Sequence, residues 1–294
     1  MSRDRHIISL AYRPPLRWEE LMAFFRKRAV RGVEEVAEVS YRRSISIGGT
    51  TGTLEAWPSR DGRHRMFVAL RGIPAAMRDS AVSRIRRMFG LDADPRAICA
   101  HLGRDPRLQP VVNAFRGMRI PLTWDPFEAV VRAVLGQQIS VAGAITMVGR
   151  IAQRYGKPVE GEGAITRVFP APSDLANADL STFGIPASRA RTLSAVSRAI
   201  LDGSLRLDGS VPADKLEKDF QLIRGIGPWS AQYVALRGMG EPDAFPESDL
   251  VIRKSLDALG YPADKASRKA AIDLLAPWRG YAAIYLWKAL SGGG

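Results

Sequence analysis

The chain of 294 residues contains one cysteine, Cys99, so it cannot close an internal disulfide. A four-cysteine zinc or iron–sulfur site is excluded for the same reason. Histidine is scarce too: His6, His64 and His101. None lies near the glycine-rich stretch at 225–227, and no serine–histidine or metal–histidine arrangement is legible around them. No apolar run approaches the ~18–20 residues needed to span a bilayer. The opening "MSRDRHIISLAYRPP" has no apolar core of signal-peptide length and no small-residue cleavage site. These absences point to a cytosolic protein without a membrane partner. Internal repeats are missing, as is low-complexity sequence apart from the terminal glycines.

Acidic residues are outnumbered. Lys and Arg total 43 against 30 Asp and Glu, a net charge of +13. Such a surplus favours a polyanionic partner, most simply nucleic acid, although a solvated basic surface would look the same in composition. Much of it is arginine, in runs such as "FFRKRAVR" and "SRIRRMFG". Guanidinium forks suit phosphate oxygens.

The length suits two or three compact units. Residues 1–92 read as α+β: strands in "HIISLAY", "VSYRRSISIGGTTGTLEAW" and "HRMFVALRG", with helices in "WEELMAFFRKRAV" and "AAMRDSAVSRIRRMFGL". An antiparallel sheet with helices on one face is expected. From about residue 93 the pattern turns helical. In "DPFEAVVRAVLGQQIS", Asp125 can cap, Pro126 suits the first helical position and Glu128 completes a capping-box-like pair. Phe127, Val130, Val131, Val134 and Leu135 form one apolar stripe. "GKPVEGEGA" (156–164) is a loop by composition, and the segment from "PSDL" to "AILDG" reads as two or three short helices.

Residues 216–240 combine a helix, "LEKDFQLI", a tight "RGIGP" turn and a second helix, "WSAQYVALRGMG", with Trp229, Tyr233 and Leu236 on one side. Glycines at 225 and 227 allow positive φ and close approach to another surface. The free N–H groups at the start of the second helix favour an anion, which makes this a backbone grip on phosphate that reads no sequence. A plain helical corner is the alternative. The segment ends in "PDAFPESD". Asp249 there could cap the next helix, "LVIRKSL", or serve as a catalytic carboxylate; Glu247 is a weaker competitor.

"GIGPWSAQY…PDAFPESD" resembles the helix–hairpin–helix, Gly/Pro and Asp signature of the base-excision DNA glycosylase superfamily. The likeness is strongest to the bacterial 3-methyladenine DNA glycosylase II family. It extends over nearly the whole chain, through "YRPPLRWEELMAFFRKRAV", "FEAVVRAVLGQQIS" and "APWRGYAAIYLW". The resemblance implies an α+β domain (1–92) and two helical domains flanking a cleft: 93–125 with 242–294, and 126–241, which contains the hairpin. It implies a monomeric, cytoplasmic, nucleoid-associated enzyme that flips alkylated purines out of double-stranded DNA and hydrolyses their N-glycosidic bond. Asp249 would be the catalytic carboxylate, set against a sugar that turns positive as the base leaves. Trp229 stands where bifunctional relatives carry a Schiff-base lysine, so a monofunctional enzyme is implied. Trp229, Tyr233, Trp278 and Phe24, with Leu250 just after Asp249, would line the base pocket, where a cationic ring gains from aromatic faces. Gln137, Gln138 and Ile139 would form the loop that enters the duplex. Gly225, Gly227 and Ser230 would approach a phosphate. Main-chain carbonyls of Gln221, Ile223 and Gly225 would hold a non-catalytic Na+ or K+; no other cofactor is implied. The other readings are a glycosylase for oxidised, deaminated or mismatched bases, and a non-catalytic helix–hairpin–helix DNA-binding protein.

Overall fold

The computed structural model describes residues 5–181 and 184–291. Part of the expected helical stretch, Thr182 and Phe183, therefore lies outside the described residues, as do the terminal glycines. The chain begins with β1 (His6–Ala11), α1 (Trp18–Arg28), β2 (Glu34–Val36), β3 (Tyr41–Ile47), β4 (Thr50–Pro58), β5 (Arg65–Arg71) and α2 (Arg78–Met88). The strands form one antiparallel sheet in the order β1-β5-β4-β3-β2. The Gly48–Gly49 turn, both residues at positive φ, joins β3 to β4 as its sequence demands. β2 is too short to show an alternation of its own and was not expected. Helices α1 and α2 bury Leu21, Phe25, Ile85 and Met88 against the sheet in one core.

The rest of the described chain is helical: α3 (Pro95–Leu102), α4 (Gln109–Ala114), α5 (Pro126–Gly136), α6 (Val141–Tyr155), α7 (Pro172–Leu175), α8 (Ala187–Leu201), α9 (Ala213–Gln221), α10 (Pro228–Val234), α11 (Leu250–Ala258), α12 (Lys265–Asp273) and α13 (Arg279–Ser291). Two further cores form. One gathers α5, α6, α8, α9 and α10. The other joins α3, α4, α11 and α13 with Ala235 and Leu236, just beyond α10. Val30 and Val33, which follow α1, pack into the first of these cores, and Trp124 packs into the sheet's core. The chain thus stitches its three cores together at their seams.

Helix α5 is the central strut. Asp125 caps it, accepting from the Phe127 N–H at 2.9 Å, and Pro126 opens it. The expected apolar stripe is fully buried. Glu128 departs from expectation: it does not turn back to close a capping box. It is 1% exposed and accepts from Arg43 of β3 at 2.7 Å and from Arg132 at 2.6 Å. Arg132 also donates to Glu34 of β2 at 2.6 Å, and the Tyr41 hydroxyl donates to the other Glu34 oxygen at 2.6 Å. Side-chain reach across to the sheet outcompetes the local cap because the two guanidiniums offer stronger, charge-assisted bonds. Burial alone would raise the Glu128 carboxyl; Arg43 and Arg132 outweigh it and hold the group below its ordinary range.

Glu128→Gln should leave two buried guanidiniums short of a counter-charge and destabilise the protein by about 3–5 kcal/mol in urea denaturation. Because the folded pKa is depressed, this stabilisation is present above the unfolded value and is lost as the pH falls through the folded one. The gap between wild type and variant should therefore narrow below about pH 4.

Candidate active site

The helix–hairpin–helix consists of α9, a turn at residues 222–227 and α10. Gly225 adopts φ +95°, and a Cβ there would meet the Thr192 hydroxyl at 2.1 Å, so the position admits glycine alone. Gly227 differs from expectation: its φ is −101°, extended backbone that any residue can adopt. What its missing side chain does provide is open space at the mouth of α10. Pro228 opens that helix, and the N–H groups of Trp229 and Ser230 lie in its first turn, where a helix has no partner for them. Ser230 is 2% exposed, and its hydroxyl accepts from the Gln137 amide.

Beyond α10 the chain takes one π-helical turn, Ala235–Met239, and ends on Gly240 in the left-handed region. The segment 241–249 is then tied down from two sides. Gln232 of α10 accepts from the Phe245 N–H at 2.8 Å, and Asp243 is gripped by Arg279 through Nε at 3.0 Å and Nη2 at 2.5 Å. This clamp delivers Asp249 to the start of α11.

Asp249 accepts four N–H donors. Oδ1 receives the backbone N–H groups of Val251 at 2.9 Å and Ile252 at 3.1 Å, which makes Asp249 the cap of α11. The same oxygen receives the Trp287 indole at 3.0 Å, and Oδ2 receives the Trp229 indole at 2.9 Å. One carboxylate thus serves both as a helix cap and as the acceptor for two indoles. The weaker competitor, Glu247, is exposed.

The walls follow. The Trp229 and Tyr233 rings stack with centroids 5.2 Å apart. Tyr233 also faces the guanidinium of Arg28. Arg28 lies 4.1 Å and Arg237 4.4 Å from the centre of the Phe24 ring, and Arg237 lies 4.9 Å from that of Trp287. A cavity of about 210 Å³ opens beside Phe24, Arg28, Pro121, Arg237 and Trp287. Phe24 lines this cavity, and its ring faces the protein's own cations. Leu250 is 64% exposed and stands on the rim.

Trp278 is a correction. It sits just before α13, next to the Arg279–Asp243 clamp, and packs edge-on to Tyr281 with ring centroids 5.8 Å apart. Nine residues, about 13 Å of helix, separate it from Trp287, which makes the contact with Asp249 instead. Sequence reading missed Trp287 because α13 is apolar on nearly every side: Tyr281, Ala282, Ala283, Ile284, Tyr285 and Leu286 are all buried. No stripe marks which tryptophan looks inward. Arg28 and Arg237 were missed as well, since arginine in a basic chain carries no sign of burial.

The loop after α5 is anchored to the hairpin. Gln137 is half-buried and donates through Nε2 to the Gly225 carbonyl at 2.9 Å and to the Ser230 hydroxyl at 3.0 Å. Its side chain is thus a tether, not a free tip. Gln138 is exposed at φ 53°, the sole non-glycine at positive φ among the described residues. Ile139 beside it is 38% exposed, and Ser140 caps α6. A strained polar residue next to an exposed apolar one forms the loop's prow.

Two family models match the chain: the AlkA N-terminal domain over residues 7–125, and the HhH-GPD superfamily base excision DNA repair protein over residues 131–279. DNA-3-methyladenine glycosylase 2 of Escherichia coli is 32% identical over 95% of this chain and 96% of its own length. A Mycobacterium tuberculosis relative, named "Probable bifunctional transcriptional activator/DNA repair enzyme AlkA", is 38% identical over 96% of this chain, which spans only 57% of that longer protein. Among solved structures, 3-methyladenine DNA-glycosylase from Archaeoglobus fulgidus superposes with a TM-score of 0.84 at 20% identity, covering 98% of this chain and 99% of its own. That likeness is one of fold. With the hairpin, the Gly/Pro turn and the closing aspartate all in place, the chain belongs to the HhH-GPD superfamily of base excision DNA repair proteins and carries the AlkA N-terminal domain in front of it.

Proposed function

We propose that this protein is a monofunctional DNA glycosylase that hydrolyses the N-glycosidic bond of alkylated purines in double-stranded DNA and leaves an abasic site. The observation that carries this reading is the Asp249 carboxylate, held by two indole and two backbone N–H groups beside an aromatic cleft. Breaking the C1′–N bond builds positive charge on the deoxyribose. A negative group fixed in advance stabilises that charge without reorganising as it develops. Both oxygens already accept hydrogen bonds, which suits this electrostatic role better than proton abstraction. A lone pair on Oδ2 remains to orient the attacking water.

A base in a duplex reaches such a carboxylate only when extruded. The loop at 137–139 supplies the means: Gln138 and Ile139 project where the stack would open, while Gln137 locks the loop to the hairpin. The hairpin in turn offers the Trp229 and Ser230 N–H groups to a phosphate across the open space at Gly227. Carbonyls of Gln221, Ile223 and Gly225 would hold a monovalent cation there. Those of Ile223 and Gly225 each accept one hydrogen bond already, from Ile226 and Gln137, and keep a second lone pair for a metal. Trp229 occupies the position of the lyase lysine and is committed to Asp249, which supports simple hydrolysis over strand cleavage. The nucleic acid carries the counter-charge to the net +13 of the chain. Among the described residues no helix is long and apolar enough to cross a membrane.

Asp249→Asn should keep the helix cap, since asparagine caps as well as aspartate, and should leave duplex binding intact. Release of 3-methyladenine and 7-methylguanine from methylated DNA, followed by chromatography, should fall by about 10²–10³-fold or more. Unchanged release would refute the reading and favour a non-catalytic DNA-binding protein. Trp287→Phe removes one donor to the carboxylate and should slow single-turnover excision by about 10–100-fold. Trp278→Phe, by contrast, should change it little. Borohydride reduction during turnover should trap no covalent protein–DNA complex; a trapped complex would show lyase chemistry.

A further inference from the structure

The loop at 137–139 and the hairpin share a support that lies in neither. Helix α5 ends at Gly136, and the carbonyls of its last turn have no partner within the helix. Arg189, half-buried in the first turn of α8, supplies donors from outside. Its Nη1 donates to the Leu135 carbonyl at 3.2 Å and its Nη2 to the Gln137 carbonyl. Both bonds leave one planar, charged fork, so they fix the direction of the chain at 135–137 as well as its place. The next residue is Gln138 at φ 53°. That conformation is disfavoured for glutamine, and an untethered loop would relax out of it. One turn further along α8, Thr192 donates to the Arg224 carbonyl at 2.9 Å and fills the space beside Gly225. Gln137 spans the third side, from the loop to the Gly225 carbonyl. Loop, hairpin turn and the start of α8 thus form a closed triangle. The burial of Leu193 and Val196 anchors α8 in the core beneath it.

We propose that Arg189 is a positioning residue: it holds the 137–139 loop in its strained form and in fixed register with the hairpin, so that the loop meets the duplex already shaped. The idea rests on the glycosylase reading above and adds a residue to its base-extruding step. Arg189 acts through the loop; its two bonds go to the protein's own carbonyls. A loop shaped in advance loses no conformational freedom when it enters the stack. Without the fork, only a fraction of molecules would present Gln138 and Ile139 correctly, and the extruded population would fall by that same fraction.

The test uses the full-length protein in single-turnover excision of 7-methylguanine at saturating protein, with the lesion opposite either cytosine or an abasic-site analogue. Arg189→Met keeps the aliphatic stem and removes both bonds. Opposite cytosine, where a base pair must be broken, the rate should fall by about tenfold or more. Opposite the analogue it should fall by about twofold or less, because extrusion there needs less from the loop. Arg189→Lys, which still reaches one carbonyl, should recover part of the loss. An equal fall on both substrates would mean general support of the fold, and no fall opposite cytosine would mean that the loop keeps its shape unaided; either result overturns the proposal. A second measurement needs no DNA. Gln138→Gly relieves the strain, so in the wild-type background it should raise the folding equilibrium constant in urea denaturation by about twofold or more. In the Arg189→Met background, where the loop has already relaxed, that gain should vanish. The same gain in both backgrounds would overturn the proposal too. Absence of 7-methylguanine release by the wild type from either duplex would instead defeat the glycosylase reading, and the coupling between positions 189 and 138 would then decide alone.

Discussion

Everything at this site depends on where one carboxylate can be held. A carboxylate has no packing of its own; only donors fix it. Asp249 takes its donors from three helices: the indole of Trp229 in α10, the first N–H groups of α11 and the indole of Trp287 in α13. Trp229 packs against the core of α5, α6 and α8–α10, and Trp287 against the core of α3, α4, α11 and α13. The carboxylate therefore sits at the seam of two cores, and its position reports how they are docked.

That docking is controlled at a distance by a polar knot. Glu128, Arg43, Arg132 and Glu34 join α5 to the sheet through short, nearly dry hydrogen bonds. Apolar contact tolerates sliding, but charge-assisted bonds are directional, so the knot sets how α5 is turned as well as how closely it packs. Its far end carries Gln137, whose amide reaches the hairpin. Arg132 also donates to the Arg28 carbonyl at 2.8 Å, which ties the end of α1, and with it the cleft wall at Phe24, to the same helix. The N-terminal sheet is thus tied through α5 to the loop, the hairpin and the cleft wall.

The electrostatics of the cleft follow from the same crowding. Arg28 at the end of α1 and Arg237 in the π turn after α10 point inward and find aromatic faces in place of carboxylates. Rings that a composition-based argument would assign to a cationic guest already have occupants.

Much of this was readable from local pattern. Asp125–Pro126, the stripe from Phe127 to Leu135, the Gly48–Gly49 turn and the Gly225 corner each impose their own backbone, because capping, helical period and positive φ act within a few residues. Asp249 was legible too, by its place at the end of a family motif. The choice between Trp278 and Trp287 was not, nor was the inward turn of Arg28 and Arg237, nor the recruitment of Glu128 to the sheet. Trp287 answers to Asp249, Glu128 to Arg43, Arg237 to Phe24 and Arg28 to Tyr233, all distant along the chain, and a long-range contact leaves no periodicity in the chain that makes it. Sequence by itself determined the class of fold, the hairpin and the acid; only the tertiary structure decided which indoles hold that acid and which charges face it, because those contacts exist only once separate cores have met.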